Sequence, residues 1–587
     1  MRDVFTCSFA SLVPGFTLNS GRFASACTIH AARARGLART SSVARLLSLV
    51  ASGFAACGAF VSTANAQWTS DTSVNTPVFV GAGDQNGPLW GKGPVEATGG
   101  TSWVVYNDNV AGLSQGYKHA IQLLGPDGAA LLSPAAVLSP LRTNTATFLI
   151  DFDVNSAGDA IVAYDNNAIY VQKVTYANGV ATKNWGGASA DGLLIPGSSG
   201  ALGPQVVALE DGGCVVCWGS GATLNFQRVL SNGTFGPAWQ LTETGRAQLP
   251  ADMVRSGDGF IMMWVRAEGT NFVTSRKGLK INKWSSAGAA SWGSGTPLDV
   301  YASNATPQRG IQTAYYPKLL SDGNNGAITA WYDNGATRNA WLQHVDSNGT
   351  FRFAANGLAV STVAVASELR LSASVAFDAI SGDYTVAYQT SNANQSQFGL
   401  GAQRITSTGS LLWNGGAGVA LQVFTGNPSS FVSVDNVQGQ SIVTWLQNAS
   451  GNGPMGVLST RLDFIGAPVW NPAILEVANN ATTKGRQSTI NNSADGWIAS
   501  AWSDGAFGSQ DVKAMRINVN GTLGQGGPTC PACAADFDQD GGVTGGDIAA
   551  FFAEFEAGAA CADVDLDGGI TGGDVGAFFT VFETGGC

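Results

Sequence analysis

One pattern constrains this chain more than any other: an apolar run that ends in an aromatic recurs eight times. The copies are WVVY ending at Tyr106, IVAY at Tyr164, VVCW at Trp218, IMMW at Trp264, ITAW at Trp331, TVAY at Tyr388, IVTW at Trp445 and IASAW at Trp502. The steps between these aromatics are 58, 54, 46, 67, 57, 57 and 57 residues. A repeat of this length is one supersecondary unit, which buries its apolar face only by stacking on its neighbours.

Each copy carries its own turn chemistry. Gly-Asp or Asp-Gly usually precedes the run, as in SAGDAIVAY, EDGGCVVCW and SADGWIASAW. A second strand follows and stops at a turn glycine: Gly128, Gly179, Gly233, Gly288, Gly349, Gly409, Gly466 or Gly521. Asn-Gly and Asp-Gly supply the positive φ angles that tight hairpins need. A further segment often opens on an aromatic, as in LLWNGGAGVALQV and PVWNPAILEV. Three or four short antiparallel strands per unit match a propeller blade. The expected fold over residues 67–527 is therefore all-β, an eight-bladed β-propeller, because a closed ring leaves no free sheet edge. A tandem of sandwiches is the alternative, and eight near-equal units speak against it. The segment NTPVFVGAG, Asn75 to Gly83, reads as a closing strand with no unit before it. The last unit, ending near Gly521, lacks such a strand, so the N-terminal piece is expected to complete it.

Residues 1–66 read as a secretory signal. They carry six arginines against one acid, then LLSLVASGFAACGAFV (Leu46 to Val61) and the small-residue site Ala64-Asn65-Ala66. Cleavage is predicted before Gln67, and the apolar stretch is short for an uncleaved anchor. Without that segment, 24 basic residues face 40 acidic ones, a net charge of −16. An acidic surface of this kind argues against nucleic acid and anionic membranes as partners. Export also suits the cysteines: Cys530, Cys533, Cys561 and Cys587 crowd into the last 58 residues. They read as disulfide staples with three connectivities open.

Within the ring, residues that look chemical have plainer readings. Cys214 and Cys217 have the spacing of a redox or metal pair, yet i and i+3 on a strand face opposite sides of the sheet. They are expected to be buried small hydrophobes. The Asn-Gly-Thr triplets at Asn232, Asn348 and Asn520 sit at hairpins and read as turns before glycan acceptors. The eight aromatics are expected to pack between blades. Asp108, Asp165, Asp333 and Asp504 follow the aromatic closely, on one rim of the ring. Two converging carboxyls with raised pKa values would suit a glycosidase, whereas turn formation is the simpler role. His119 and His344 have no metal ligand beside them in sequence. No nucleophile elbow, HExxH, phosphate loop or dinucleotide fingerprint occurs.

The tail differs in kind. DFDQDGGVTGGD (Asp536 to Asp547) returns 27 residues later as DVDLDGGITGGD (Asp563 to Asp574). Calcium takes six to eight oxygens, and a twelve-residue loop supplies them from positions 1, 3, 5, 7, 9 and 12, with glycine at position 6. The expected ligands are Asp536, Asp538, Asp540, Gly542, Thr544 and Asp547 for one ion. For a second they are Asp563, Asp565, Asp567, Gly569, Thr571 and Asp574. The two threonines are expected to act through water, and Gly541 and Gly568 take the turn. IAAFFAEF (Ile548 to Phe555) and VGAFFTVF (Val575 to Phe582) repeat apolar residues at i, i+3, i+4 and i+7, marking a short helix after each loop. Residues 528–587 hold eleven acids and no base, so folding and metal binding should be coupled.

Loop then helix, twice, with Asp in place of Glu at position 12 and no entering helix, resembles a dockerin domain. The resemblance spans about residues 530–587. It implies a calcium-dependent docking module whose partner is a cohesin-like domain. Positions 10 and 11, which help choose the cohesin, are Gly545-Gly546 and Gly572-Gly573 and offer no side chain. With its cysteines and closing Gly585-Gly586-Cys587, the tail is similar to dockerin-type anchors on exported proteins of planctomycete-like bacteria. That implies an envelope partner and puts a cellulosomal one in doubt. Cys587 is a disulfide partner or a covalent attachment point.

The combined expectation is a secreted or cell-surface protein whose ring presents a surface to a glycan or protein and whose tail docks it. The alternative is a surface-tethered glycoside hydrolase or polysaccharide lyase.

Overall fold

The computed structural model describes residues 68–87, 95–109, 117–139, 150–186, 191–303, 310–313, 315–334, 338–437, 439–448, 455–492, 496–506, 508–525, 533–537, 542–557, 560–562, 564 and 570–585. The expected signal segment lies outside them. The ring is an eight-bladed β-propeller, each blade an antiparallel sheet. The first strands of successive blades begin at Asp84, Ile150, Leu202, Gln248, Leu320, Leu369, Ser429 and Lys484. Each leads into the aromatic-ended strand, then the strand that stops at the turn glycine, then an outer strand.

Sequence patterning missed these first strands, and their make-up explains why. Gln248–Ser256 (QLPADMVRS) and Ser429–Val437 (SSFVSVDNV) mix polar and apolar residues without clean alternation. Several also carry a break in register, between Pro250 and Asp252, Leu371 and Ser374, Ser430 and Ser433, and Gly485 and Ser488. Such bulges add a residue and bend the strand. At three of them a non-glycine residue takes positive φ: Ser372 at 49°, Phe431 at 50° and Arg486 at 54°.

Closure happens as the unpaired closing strand and the incomplete last unit implied. The strand Thr76–Phe79 pairs antiparallel with Asp511–Asn518 and supplies the outer strand of blade 8. First and last parts of the domain thus share one sheet.

The hydrophobic core is eight separate clusters, one at each junction between blades. Tyr106 packs with Trp497, Ala499 and Val512 of blade 8. Trp264 packs with Val215, Cys217 and Phe226 of blade 3, and Trp502 with Ile442, Leu446 and Val457 of blade 7. The other five repeated aromatics are buried in the same way, each against the blade before it. Cys214 and Cys217 fall in different clusters, on opposite faces of one strand.

A second device recurs beyond the core. An aromatic from one blade lies under the turn glycine of the next: Trp68 under Gly128, Trp185 under Gly233, Trp239 under Gly288, Trp292 under Gly349, Phe353 under Gly409, Trp413 under Gly466 and Trp470 under Gly521. Most of these indoles also donate to the carbonyl two residues before the glycine, as Trp292 Nε1 does to Ser347 O at 2.9 Å and Trp470 Nε1 to Val519 O at 2.9 Å. A buried glutamine holds the aromatic from behind. Gln172 accepts from the Trp185 N–H at 2.8 Å and Gln403 from the Trp413 N–H at 2.8 Å. At the junction of blades 1 and 2 the arrangement differs. Gly179 has open space around it, and Trp103 Nε1 donates to Gly158 O at 2.9 Å instead.

The tail contains two helices, α1 (Gly545–Ala557) and α2 (Gly572–Thr584). Both begin three residues before the apolar pattern does, because Thr544 and Thr571 take the capping role and accept the N–H groups of Gly546 and Gly573. Phe551 and Phe578 stack with centroids 4.2 Å apart and planes at 3°. Phe537, Cys561 and Ala562 complete the small core around them.

Candidate functional site

In the tail, the structure reaches part of the expected ligand set. Asp538, Asp540, Asp563, Asp565, Asp567 and Gly569 lie outside the described residues, as do Gly541 and Gly568. Asp536, Gly542, Thr544 and Asp547 are described in the first loop, and Thr571 and Asp574 in the second. Asp547 and Asp574 are completely buried. Each accepts the backbone N–H three residues earlier at 2.7 Å, from Thr544 and Thr571 respectively. In α2 this completes a capping box. The donors present are all oxygens, which fits a hard cation.

The four aspartates of the ring stand at or just past the ends of the aromatic strands. Those strands run in the same sense in every blade, so all four belong to one rim. Each is held by its own surroundings. Asp333 accepts from the Tyr301 hydroxyl at 2.6 Å and the Asn339 N–H at 2.7 Å. Asp504 pairs with Lys484 at 3.3 Å and accepts from Asn480 at 2.9 Å. Asp108 accepts from Gln85 at 3.0 Å. Burial holds the Asp108 carboxyl above its usual range, with Gln85 and Lys118 pulling the other way. Asp165 is fully buried.

Both described histidines are buried. His344 is buried between Asp322, 3.0 Å from its Nε2, and the Tyr384 hydroxyl. His119 Nδ1 lies 2.8 Å from Asn107. Among the described residues no three His, Cys, Asp or Glu side chains group as a metal site. Burial pushes both Cys214 and Cys217 thiols well above the normal range, which keeps them protonated and inert.

The same rim carries polar networks at blades 4 to 6 that the repeat pattern did not point to. Arg266 joins Glu243, at 2.8 and 2.9 Å from its Nε, to Glu268, 2.9 Å from its Nη1. The Arg266 hydrogen bond keeps Glu243 below its usual range. Burial alone would raise Glu268, yet Ser303, Arg266 and Arg246 outweigh it and lower the carboxyl. Two ionised carboxylates locked on one guanidinium have no proton to give. Alongside, Arg370 reaches Asn339 at 2.9 Å, the Val363 carbonyl at 2.8 Å and Glu368 at 3.2 Å. Burial raises Glu368, with Arg370 opposing. One signal was available for the first group. Charge is scarce in this chain at 12%, yet Glu243, Arg246, Arg266, Glu268, Arg276, Lys277 and Lys280 fall close together.

No protein-family model matches the chain, and neither does any curated protein. Similar solved structures exist at low identity. A protein of unknown function from Dyadobacter fermentans is 10% identical over 66% of this chain and 97% of its own, with a TM-score of 0.31. A Lactobacillus plantarum protein is 11% identical over 63% and 94%, at 0.34. An arabinanase from Bacillus subtilis is 16% identical over 46% and 93%, at 0.26. None of these likenesses carries an argument about what the ring does.

Proposed function

We propose that the chain is an exported docking protein whose propeller binds a glycan or a protein at the cell exterior. Its tail is a calcium-stabilised, disulfide-stapled dockerin-like module that engages a cohesin-like or envelope partner. One observation supports the tail reading: each copy of the duplicated motif leads into a helix, and its twelfth-position carboxylate is drawn completely inside. Burying a carboxylate is costly unless it is paired or coordinated; the N–H groups of Thr544 and Thr571 offset part of that cost, and a calcium ion at each loop would add to them. The ion would neutralise the loop carboxylates and hold the entry to each helix in place.

What supports a non-catalytic ring is the state of its carboxylates. Asp333 and Asp504 are tied into blade structure, and Glu243 and Glu268 share a guanidinium. The glycoside hydrolase or lyase alternative needs two convergent carboxyls of opposed protonation. Raised pKa values occur at Asp108 in blade 1, Glu368 beside blade 6 and Asp435 in blade 7, each within its own set of partners.

Titrating calcium into the full chain, followed by heat and by helix content, tests the tail. Two binding events with a gain of helix are expected. Asp536→Ala with Asp563→Ala should abolish both. No heat and no helix gain in the unmodified chain would remove the dockerin reading.

A further inference from the structure

Blades 6 and 7 form an uncharged sector in an acidic ring. Residues 405–460 hold a single charged side chain, Asp435, against a chain average of 12%, and Asp435 is engaged by Thr489. On the rim where the aromatic strands end, the outer strand of blade 6 (Val419–Thr425) passes through three residues into the first strand of blade 7 (Ser429–Val437). Ser429 Oγ donates to Gln422 Oε1 at 2.8 Å, which holds the two strand ends side by side. Three large apolar side chains stay open to solvent at this crossing: Val423 at 72%, Phe431 at 40% and Phe424 at 36%.

Phe431 is held there against its own preference. Its φ of +50° lies in a region that bulky side chains avoid. The same bulge position holds Gly203 in blade 3, Ser372 in blade 6 and Arg486 in blade 8, all at positive φ. The backbone therefore asks for a small or polar residue, and Arg486 repays the strain by donating to Gly87 O at 2.7 Å. Phe431 belongs to neither apolar cluster flanking blade 7 and leaves its ring in water. An aromatic that is both strained and exposed points to a function. The polar groups around it are neutral. Gln447, the cross-strand partner of Ser429, and Ser430 are half-buried, and neither side chain bonds to another described residue. Three apolar side chains fall far short of a standard protein interface, about 800 Å² per partner. They suit the face of one or two sugar rings.

We propose that this crossing binds a neutral glycan of β-linked glucose-type units. A pyranose with all its hydroxyls equatorial presents a flat C–H face, which would stack on the negative face of the Phe431 ring. Val423 and Phe424 would cover the neighbouring unit, and Gln447 and Ser430 would take hydroxyls at its edge. An acidic sugar is disfavoured, because its carboxylate would lose water here and find no cation in the sector to replace it. This proposal rests on the reading of the ring as a binding domain and names the ligand class for one place in it.

The test is calorimetric titration of the full chain with cellohexaose, six β-1,4-linked glucose units, and with hexagalacturonate, an acidic chain of the same length. Both are repeated on Phe431→Asn, Phe431→Trp and Val423→Ser. Cellohexaose is expected to bind at least tenfold more tightly than hexagalacturonate. Phe431→Asn should weaken it tenfold or more, and Phe431→Trp should stay within threefold, since a stacking face survives. Asparagine accepts positive φ, so Phe431→Asn should melt at an unchanged or higher temperature, which certifies the fold. Val423→Ser, at an exposed position, should weaken binding several-fold with no change in melting. Cellohexaose binding no tighter than hexagalacturonate, or binding indifferent to Phe431→Asn, would each overturn the proposal. A sugar that still binds in either case leaves the ring a glycan binder, and only this site falls. If neither sugar binds, the proposal falls, and self-association lost in Phe431→Asn would assign the patch to a protein contact instead.

Discussion

The ring of Trp292 lies directly beneath Gly349, fifty-seven positions later in the next blade. The glycine has φ of +83°, and a Cβ placed on it would stand 2.7 Å from the indole. Gly179 occupies the equivalent turn in blade 2 at φ +80° with nothing within 4 Å. The pair isolates the cost of the contact from that of the backbone. Gly179→Ala should cost about 1 kcal/mol, the penalty for a side chain in the left-handed region. Gly349→Ala should cost about 2–4 kcal/mol, because overpacking adds to it. Denaturant midpoints of the two variants decide the matter, and equal losses would mean that the aromatic under the turn fastens nothing.

The strand Thr76–Phe79 closes the ring, and Val78 is buried within the cluster of blade 8. Removing residues up to Phe79 should leave Asp511–Asn518 as an open edge that seeks another strand. Light scattering after size-exclusion chromatography should show association, with a lower melting temperature. A stable monomer of unchanged melting temperature would argue that closure contributes little.

Asp435 and Thr489 join the first strands of blades 7 and 8 through a 2.6 Å hydrogen bond. Burial raises the Asp435 carboxyl to about 6, partly opposed by that bond. A raised acid binds its proton more tightly when folded, so this group favours the fold most at low pH. The contribution is lost as pH climbs from about 4 to about 6. Asp435→Asn removes the charge and keeps an acceptor for Thr489. It should stabilise the protein by roughly 1–2 kcal/mol at pH 7.5 and leave it unchanged near pH 4. Parallel thermal melts at the two pH values check the sign.

Chelation should act on the tail alone. With eleven acids, no base and a small phenylalanine core, residues 528–587 have little besides metal to offset self-repulsion. EDTA should expose α1 and α2 to proteolysis while the ring stays intact, and excess calcium should reverse it. Equal protease sensitivity with and without EDTA would count against the calcium loops.

The sequence by itself determined the number of blades, the strand that closes the ring and the burial of Cys214 and Cys217 on opposite faces. These follow from turn glycines and two-residue alternation, which act over a few positions and repeat wherever the local pattern does. The helices after the two aspartate loops were legible for the same reason, apart from their first turn, which capping by Thr544 and Thr571 set. The first strand of each blade was not legible, since its residues answer to the ring axis and neighbouring blades and not to a periodic face. Tertiary structure alone decided which charges are satisfied. Asp333 finds Tyr301, and Glu243 and Glu268 find Arg266, because each outcome depends on side chains that closure of the ring brings together from different strands.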